Sequence, residues 1–144
     1  MIENIFKSFA KDIEGQTIDQ EFWDDAAHLA RTEINIKDYA FIINDDGSKV
    51  LGIYLKGLYN AWAPYYRRVH NQTPFTYPAI LGAMKHEEYF KDASHQHLIS
   101  DAEQAKRIGK NIRLIIVDPG KITGNLKEFY GSFIKEENYV IQPK

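Results

Sequence analysis

Apolar side chains recur at helical spacing over the first part of the chain. From Ile2 to Ile13 they keep the three- and four-residue intervals of one helical face, and Gly15 is a suitable end point. Thr17 and Gln20 then have the spacing of a capping box, in which each side chain satisfies a free backbone amide. An N-terminal helix pair is therefore predicted, with the second helix running from about residue 18 to residue 33. The second helix is expected to bury Phe22, Ala26, Leu29 and Ala30.

A different pattern follows, and it predicts a β-hairpin between Tyr39–Ile43 and Val50–Leu55. Asp46-Gly47 suits the tight turn between these strands, because a type I′ turn needs two residues with positive φ. With that turn, Ile42 pairs with Leu51. Both faces of the hairpin are apolar, so we expect it to be covered on both sides or to lie centrally in a sheet.

The second half of the chain mixes helical and extended patterns. Residues 57–78 carry a helical stripe that Pro64 interrupts, which fits either a kinked helix or a short helix beginning near that proline. Pro78 suits the first turn of another helix. The remaining predicted elements are a short helix opened by the capping-box pair Ser100 and Glu103, a strand over Ile112–Val117, a last helix from Asn125 and a short strand over Tyr139–Ile141.

Together these elements predict a single α+β domain over residues 1–144. Its parts are the N-terminal helix pair, the central hairpin (about 39–43 and 50–55) in a small mixed sheet with a later strand (112–117), and packing helices. A length of 144 residues, with 44% hydrophobic and 26% charged residues, is ordinary for one globular domain.

The absence of cysteine excludes a disulfide framework and thiolate metal sites, and it fits a reducing compartment. No run of 18 apolar residues occurs, so no membrane span is predicted. We therefore expect a cytoplasmic protein.

Charge is distributed unevenly along the sequence. Residues 1–50 contain five Lys/Arg and eleven Asp/Glu, whereas residues 51–114 contain nine Lys/Arg and five Asp/Glu. These two regions can form a polarised surface, or they can neutralise each other on folding.

The first candidate for binding is a cluster of rings and cations in the basic region. Its members are Trp62, Tyr66, Arg67, Arg68 and His70. Exposed rings can stack on the bases of a single nucleic-acid strand, and guanidinium groups can neutralise its phosphates. The alternative is that Trp62 belongs to the core while both arginines solvate a helix end. On this cluster we predict a non-catalytic binding or regulatory domain that contacts a protein or a single-stranded nucleic acid.

The alternative function is a small hydrolase that uses histidine and carboxylate residues, either alone or with a bound metal ion. Its candidate residues are His86, His95, His97 and Asp118. Imidazoles near carboxylates can ligate Zn²⁺, but Ser94–Ile99 has the pattern of a loop or a helix start, and His86-Glu87 lacks the HExxH spacing. We expect a solvated polar segment, no metal site and no cofactor.

Asp118 follows a buried strand, a common position for catalytic acids in α/β folds. The sequence Val117-Asp118-Pro119-Gly120, with Thr123-Gly124 after it, resembles the first-strand motif of Holliday-junction resolvases. The resemblance implies that Asp118 is a metal ligand. In that family, however, the motif opens the domain, whereas here only residues 119–144 follow, too few for the remaining strands and ligands. Asp-Pro-Gly is also a favourable turn sequence.

Overall fold

Helices and strands combine in an α+β fold, as predicted. The computed structural model describes residues 18–45, 47–99, 101–136 and 140–141. The helices are α1 (Ile18–Thr32), α2 (Leu55–His70), α3 (Tyr77–Lys85), α4 (Ala102–Ile108) and α5 (Asn125–Glu136), with short 3-10 turns at Ile36–Asp38 and Pro119–Lys121. The strands are β1 (Ala40–Asp45), β2 (Ser48–Ile53), β3 (Phe90–Leu98), β4 (Asn111–Val117) and β5 (Val140–Ile141). The first predicted helix lies outside the described residues, whereas α1 confirms the second predicted helix, over about residues 18–33.

The sheet has the strand order β3-β4-β2-β1-β5. Its first four strands pair antiparallel, while β5 pairs parallel to β1, so the sheet is mixed as predicted. In the hairpin, Asp45 lies opposite Ser48 and Ile42 opposite Leu51. Asp46, the first residue of the predicted turn, lies outside the described residues. Gly47 in that turn has a φ of +83°. The predicted hairpin and its register are therefore confirmed.

Both faces of the hairpin are buried, because the sheet lies between two apolar clusters. Leu51 and Ile53 face a large cluster that contains the buried side chains of α1, α2, α3 and α5. Phe41 and Val50 face a smaller cluster, which α4 covers through Ala105 and Ile108. The alternation of side chains along each strand assigns successive apolar residues to opposite layers.

The prediction of a loop or helix start over Ser94–Ile99 is wrong, because most of this segment belongs to strand β3. It pairs with β4 alone at the edge of the sheet, and its register shifts between Phe90 and Asp92 and again between Asp92 and His95. Such bulges break the two-residue alternation from which strands are predicted. An edge strand can also keep polar side chains in solvent, so its sequence carries little β signal.

Two helix boundaries also differ from the sequence interpretation. Helix α2 runs continuously through Pro64, so the alternative of a short helix beginning near that proline is wrong. Helix α4 is capped by Asp101, whose carboxylate accepts from the amides of Glu103 and Gln104, and the predicted cap Ser100 lies outside the described residues. A carboxylate at this position also interacts favourably with the positive end of the helix dipole.

Replacing Gly47 by valine is expected to lower the free energy of unfolding by about 1–2 kcal/mol. A Cβ at this position would meet no atom within 4 Å, so the cost comes from the positive φ alone. Urea denaturation of Gly47→Val and Gly47→Asn measures it. Asparagine tolerates the left-handed region and should lose least. Equal losses in the two variants would contradict this explanation.

Candidate functional site

The predicted aromatic surface on α2 is not exposed. Trp62 has 0% and Tyr66 has 5% of its surface accessible to solvent. The Trp62 ring packs 5.2 Å from Phe22 and 4.9 Å from Tyr66 between ring centroids. The alternative interpretation, that Trp62 belongs to the core, describes its position. In this conformation neither ring can stack on a nucleic-acid base.

A buried carboxylate on α1 joins Trp62 to His70. Asp25 is 6% exposed and accepts a hydrogen bond of 3.0 Å from the Trp62 indole nitrogen. The His70 Nε2 atom lies 3.1 Å from both carboxylate oxygens of Asp25. Sequence reasoning missed Asp25, although it falls three residues after Phe22, on the buried face of the helix.

The two arginines lie at the exposed end of α2. Arg68 forms an ion pair of 2.6 Å with Glu33, and its guanidinium carbon lies 5.4 Å from the Tyr65 ring centroid. Arg67 lines a shallow surface depression together with Asn71. This ion pair, between the turn after α1 and the end of α2, shows the acidic and basic parts of the sequence neutralising each other locally.

The predicted hydrolase residues lie in different elements and have different structural roles. His97 is 3% exposed in β3, which corrects the expected solvated segment, and His86 is exposed at the end of α3. His95 lies in β3, and its side chain is not among those described. No three His, Asp or Glu residues in the described ranges are arranged to hold a metal ion. The Asp118 carboxylate accepts from the Gly120 amide at 2.9 Å, so it stabilises the predicted turn.

A second buried carboxylate lies near the start of α1. Asp19 is 0% exposed and accepts a hydrogen bond of 2.8 Å from the Tyr89 hydroxyl, which itself accepts one of 3.0 Å from the Trp23 indole nitrogen. Glu87 is hydrogen-bonded to Asp19. Burial first, and then the neighbouring Asp19, raise the pKa of Glu87 from its ordinary value of 4.5 to about 7. This pair therefore retains a proton close to neutral pH.

Replacing Glu87 by glutamine is expected to flatten the pH dependence of stability between pH 4.5 and 7. In that window the folded chain binds more protons than the unfolded chain, because the folded pKa is the higher one. Stability therefore falls as pH rises through it, by on the order of 1 kcal/mol for this partly solvated group. Thermal unfolding of both proteins across the window measures the difference. The same slope in Glu87→Gln would contradict the assignment.

A groove of about 490 Å³ opens between the starts of α2 and α3 and the strand β4. A volume of this size is typical of small-ligand sites, which combine apolar walls with a few polar groups. Among the described residues that line the groove, none is acidic. The lining residues that matter for binding are Tyr54, Lys56, Tyr77, Leu81, Ala93 and Arg113.

The polar groups of the groove lie close together. The Lys56 ammonium lies 4.9 Å from the Tyr77 ring centroid, a cation–π contact. The Tyr54 hydroxyl donates to the Ile108 carbonyl at 3.4 Å. Burial raises the pKa of Tyr77, and the nearby Tyr54 adds to the shift, so the Tyr77 hydroxyl stays protonated at neutral pH. The groove thus offers hydroxyls, cations and flat apolar faces.

Neither Lys56 nor Arg113 belongs to the aromatic cluster that the sequence predicts. One feature of the sequence could have indicated Arg113, because this residue interrupts the otherwise apolar strand 112–117. A charged residue in a strand with buried neighbours marks the point where the strand meets solvent or a ligand.

No protein-family model matches this chain, and no curated protein or solved structure matches it either. None of the helices in the described ranges combines the length and the hydrophobicity that a bilayer crossing requires.

Proposed function

We propose that the chain is a non-catalytic binding domain whose partner, a protein or a single-stranded nucleic acid, presents an anionic group to the groove. The observation that carries this proposal is the convergence of Lys56, Arg113, Tyr54 and Tyr77 on one concave surface. Cations and hydroxyls fix the orientation of an anionic group, while apolar walls supply contact area. A cytosolic location is part of the proposal and rests on the cysteine-free sequence.

The site of this proposed function differs from the predicted aromatic cluster. Trp62 and Tyr66 are core residues, and Arg68 is paired with Glu33. Lys56, by contrast, forms no ion pair with any residue in the described ranges and lies over a ring. An ammonium group in this position can neutralise an incoming anion without first breaking a salt bridge.

Amide chemical shifts of the ¹⁵N-labelled protein, titrated with an oligouridine and with a glutamate-rich peptide, test this function. We expect at least one probe to shift amides around the groove, and the double variant Lys56→Gln/Arg113→Gln to abolish the response. Arg67→Gln/Arg68→Gln is the matched control and should respond like the wild type. Shifts centred on residues 67–70 would restore the aromatic cluster as the site. No response to either probe would contradict the proposal.

One observation favours the hydrolase as the second candidate. His70 is oriented by the buried carboxylate of Asp25, and both line a cleft of about 310 Å³ with Glu21 and Asp24. An imidazole held by a carboxylate is the general base of many hydrolases. Hydrolysis of p-nitrophenyl esters and phosphates by the wild type and by His70→Gln separates the two functions. We expect equal rates, whereas a rate that depends on His70 would favour the hydrolase.

A further inference from the structure

The walls of the groove suit a flat ring. Tyr77 meets Tyr59 edge to face, with 5.6 Å between ring centroids and an interplanar angle of 79°. This contact fixes the orientation of Tyr77. Leu81 and Ala93 add apolar contact area nearby, and Tyr54 supplies a second aromatic wall. A planar ligand ring can therefore contact aromatic and aliphatic side chains together, the combination that binding sites for bases use.

The charges of the groove suit a phosphate. Lys56 and Arg113 are cations, and the described lining of the groove contains no acidic residue. A guanidinium group can donate two parallel hydrogen bonds to phosphate oxygens, and an ammonium group can add a mobile third donor. The Tyr77 hydroxyl, which remains protonated, can donate as well. The groove therefore offers donors for a multiply charged oxyanion next to a surface for a ring.

From this combination we propose that the groove binds one nucleoside monophosphate unit, either as a free nucleotide or as the phosphorylated end of a nucleic-acid strand. The base lies against Tyr54 and Tyr77, and the phosphate contacts Lys56 and Arg113. The inference rests on the proposed binding function and names its ligand. The groove volume of about 490 Å³ is large enough for one such unit.

Calorimetric titration with four probes tests the ligand class and its source. The probes are adenosine monophosphate, adenosine, inorganic phosphate and a short oligoadenylate with a 5′ phosphate. We expect the monophosphate to bind at least tenfold more tightly than adenosine or phosphate alone, because each of these fragments lacks half of the contacts. Tighter binding of the oligoadenylate than of the monophosphate identifies a strand end as the source, and the reverse order identifies a free nucleotide.

Variants assign the contacts within the groove. Lys56→Gln and Arg113→Gln should each weaken the monophosphate roughly tenfold, because each removes a charge-assisted contact. Tyr77→Phe should bind nearly as well as the wild type, whereas Tyr77→Leu should lose roughly tenfold through the lost ring contact. Lys127→Gln, on α5 and outside the groove lining, is the matched control. The melting temperature of each variant shows that a loss of binding is not a loss of folding.

Two outcomes would overturn the inference while separating it from the proposed function. If the glutamate-rich peptide shifts the groove amides and no nucleotide binds, the groove binds anions of another class, and the binding function stands without this ligand. If the monophosphate binds no better than inorganic phosphate, or binds equally to Lys56→Gln/Arg113→Gln, the nucleotide site is wrong. If no anionic probe reaches the groove, the inference and the proposed function fail together.

Discussion

Replacing Trp62 by alanine is expected to lower the free energy of unfolding by about 3–5 kcal/mol. The side chain is 0% exposed, and its ring packs 5.2 Å from Phe22 and 5.5 Å from Tyr59 between centroids. Its truncation leaves a cavity among large aromatic side chains that cannot all shift to fill it. It also removes the indole donor to the buried Asp25 carboxylate, which then keeps only His70 of these two partners.

Chemical denaturation of Trp62→Ala, Trp62→Phe and Arg67→Ala measures the effect. Trp62→Phe retains a ring but loses the indole donor, so its loss should be smaller than that of alanine. Arg67→Ala lies on the same helix with an exposed side chain and should leave stability unchanged. A stable Trp62→Ala protein that loses only its affinity for a nucleic acid would show that Trp62 acts in binding and not in the core.

The elements predicted correctly are those whose signals are local. The Asp46-Gly47 sequence predicted the hairpin register from the conformational preference of a tight turn alone, and the strands have that register. The start of α5 at Asn125 and the strand ending at Val117 also follow from short patterns. In each case the residues that decide the conformation are neighbours in the sequence, so no tertiary contact was needed to predict it.

The elements and contacts that were missed depend on the tertiary structure. Strand β3 is extended because β4 supplies its hydrogen-bond partners, and its own residues show no regular alternation. Trp62 and Asp25 are separated by 37 positions, so their contact cannot be found from either segment alone. The amphipathic stripe of α2 predicted a buried face. Whether the Trp62 ring belongs to the core or to the surface, however, depends on which elements pack against that face.

The groove could be predicted only in part for the same reason. Lys56 and Arg113 are far apart in the sequence, and the fold brings them to one surface by placing the start of α2 beside β4. The basic balance of residues 51–114 indicated cations in this half of the chain. It did not indicate which of them are neutralised, as Arg68 is by Glu33 and Arg107 is by Asp38.

Replacing Tyr89 by phenylalanine is expected to lower the free energy of unfolding by about 2–4 kcal/mol at neutral pH. The change removes one oxygen atom and leaves the ring, so it creates almost no cavity. That oxygen, however, donates to the Asp19 carboxylate and accepts from the Trp23 indole. Both partners are buried, and a buried polar group that loses its partner retains the full cost of its desolvation.

Tyr59→Phe is the matched control for this prediction. The Tyr59 hydroxyl is part-buried and donates to a single acceptor, the Phe75 carbonyl, at 2.8 Å. Its removal should cost about 0.5–1.5 kcal/mol, the ordinary value for one neutral hydrogen bond. The two variants therefore compare the same chemical change at a bridging hydroxyl and at a non-bridging one.

The pH dependence of the Tyr89→Phe loss distinguishes a charge effect from a packing effect. Asp19 without its phenol donor is an under-stabilised buried carboxylate, and Glu87 in its protonated form can donate a hydrogen bond to it, which lowers that penalty. The loss should therefore be larger at pH 8 than at pH 5, while that of Tyr59→Phe should be equal at both. Urea denaturation at the two pH values measures this difference. Equal losses for both variants at both pH values would show that the Tyr89 hydroxyl acts as an ordinary hydrogen-bonding group.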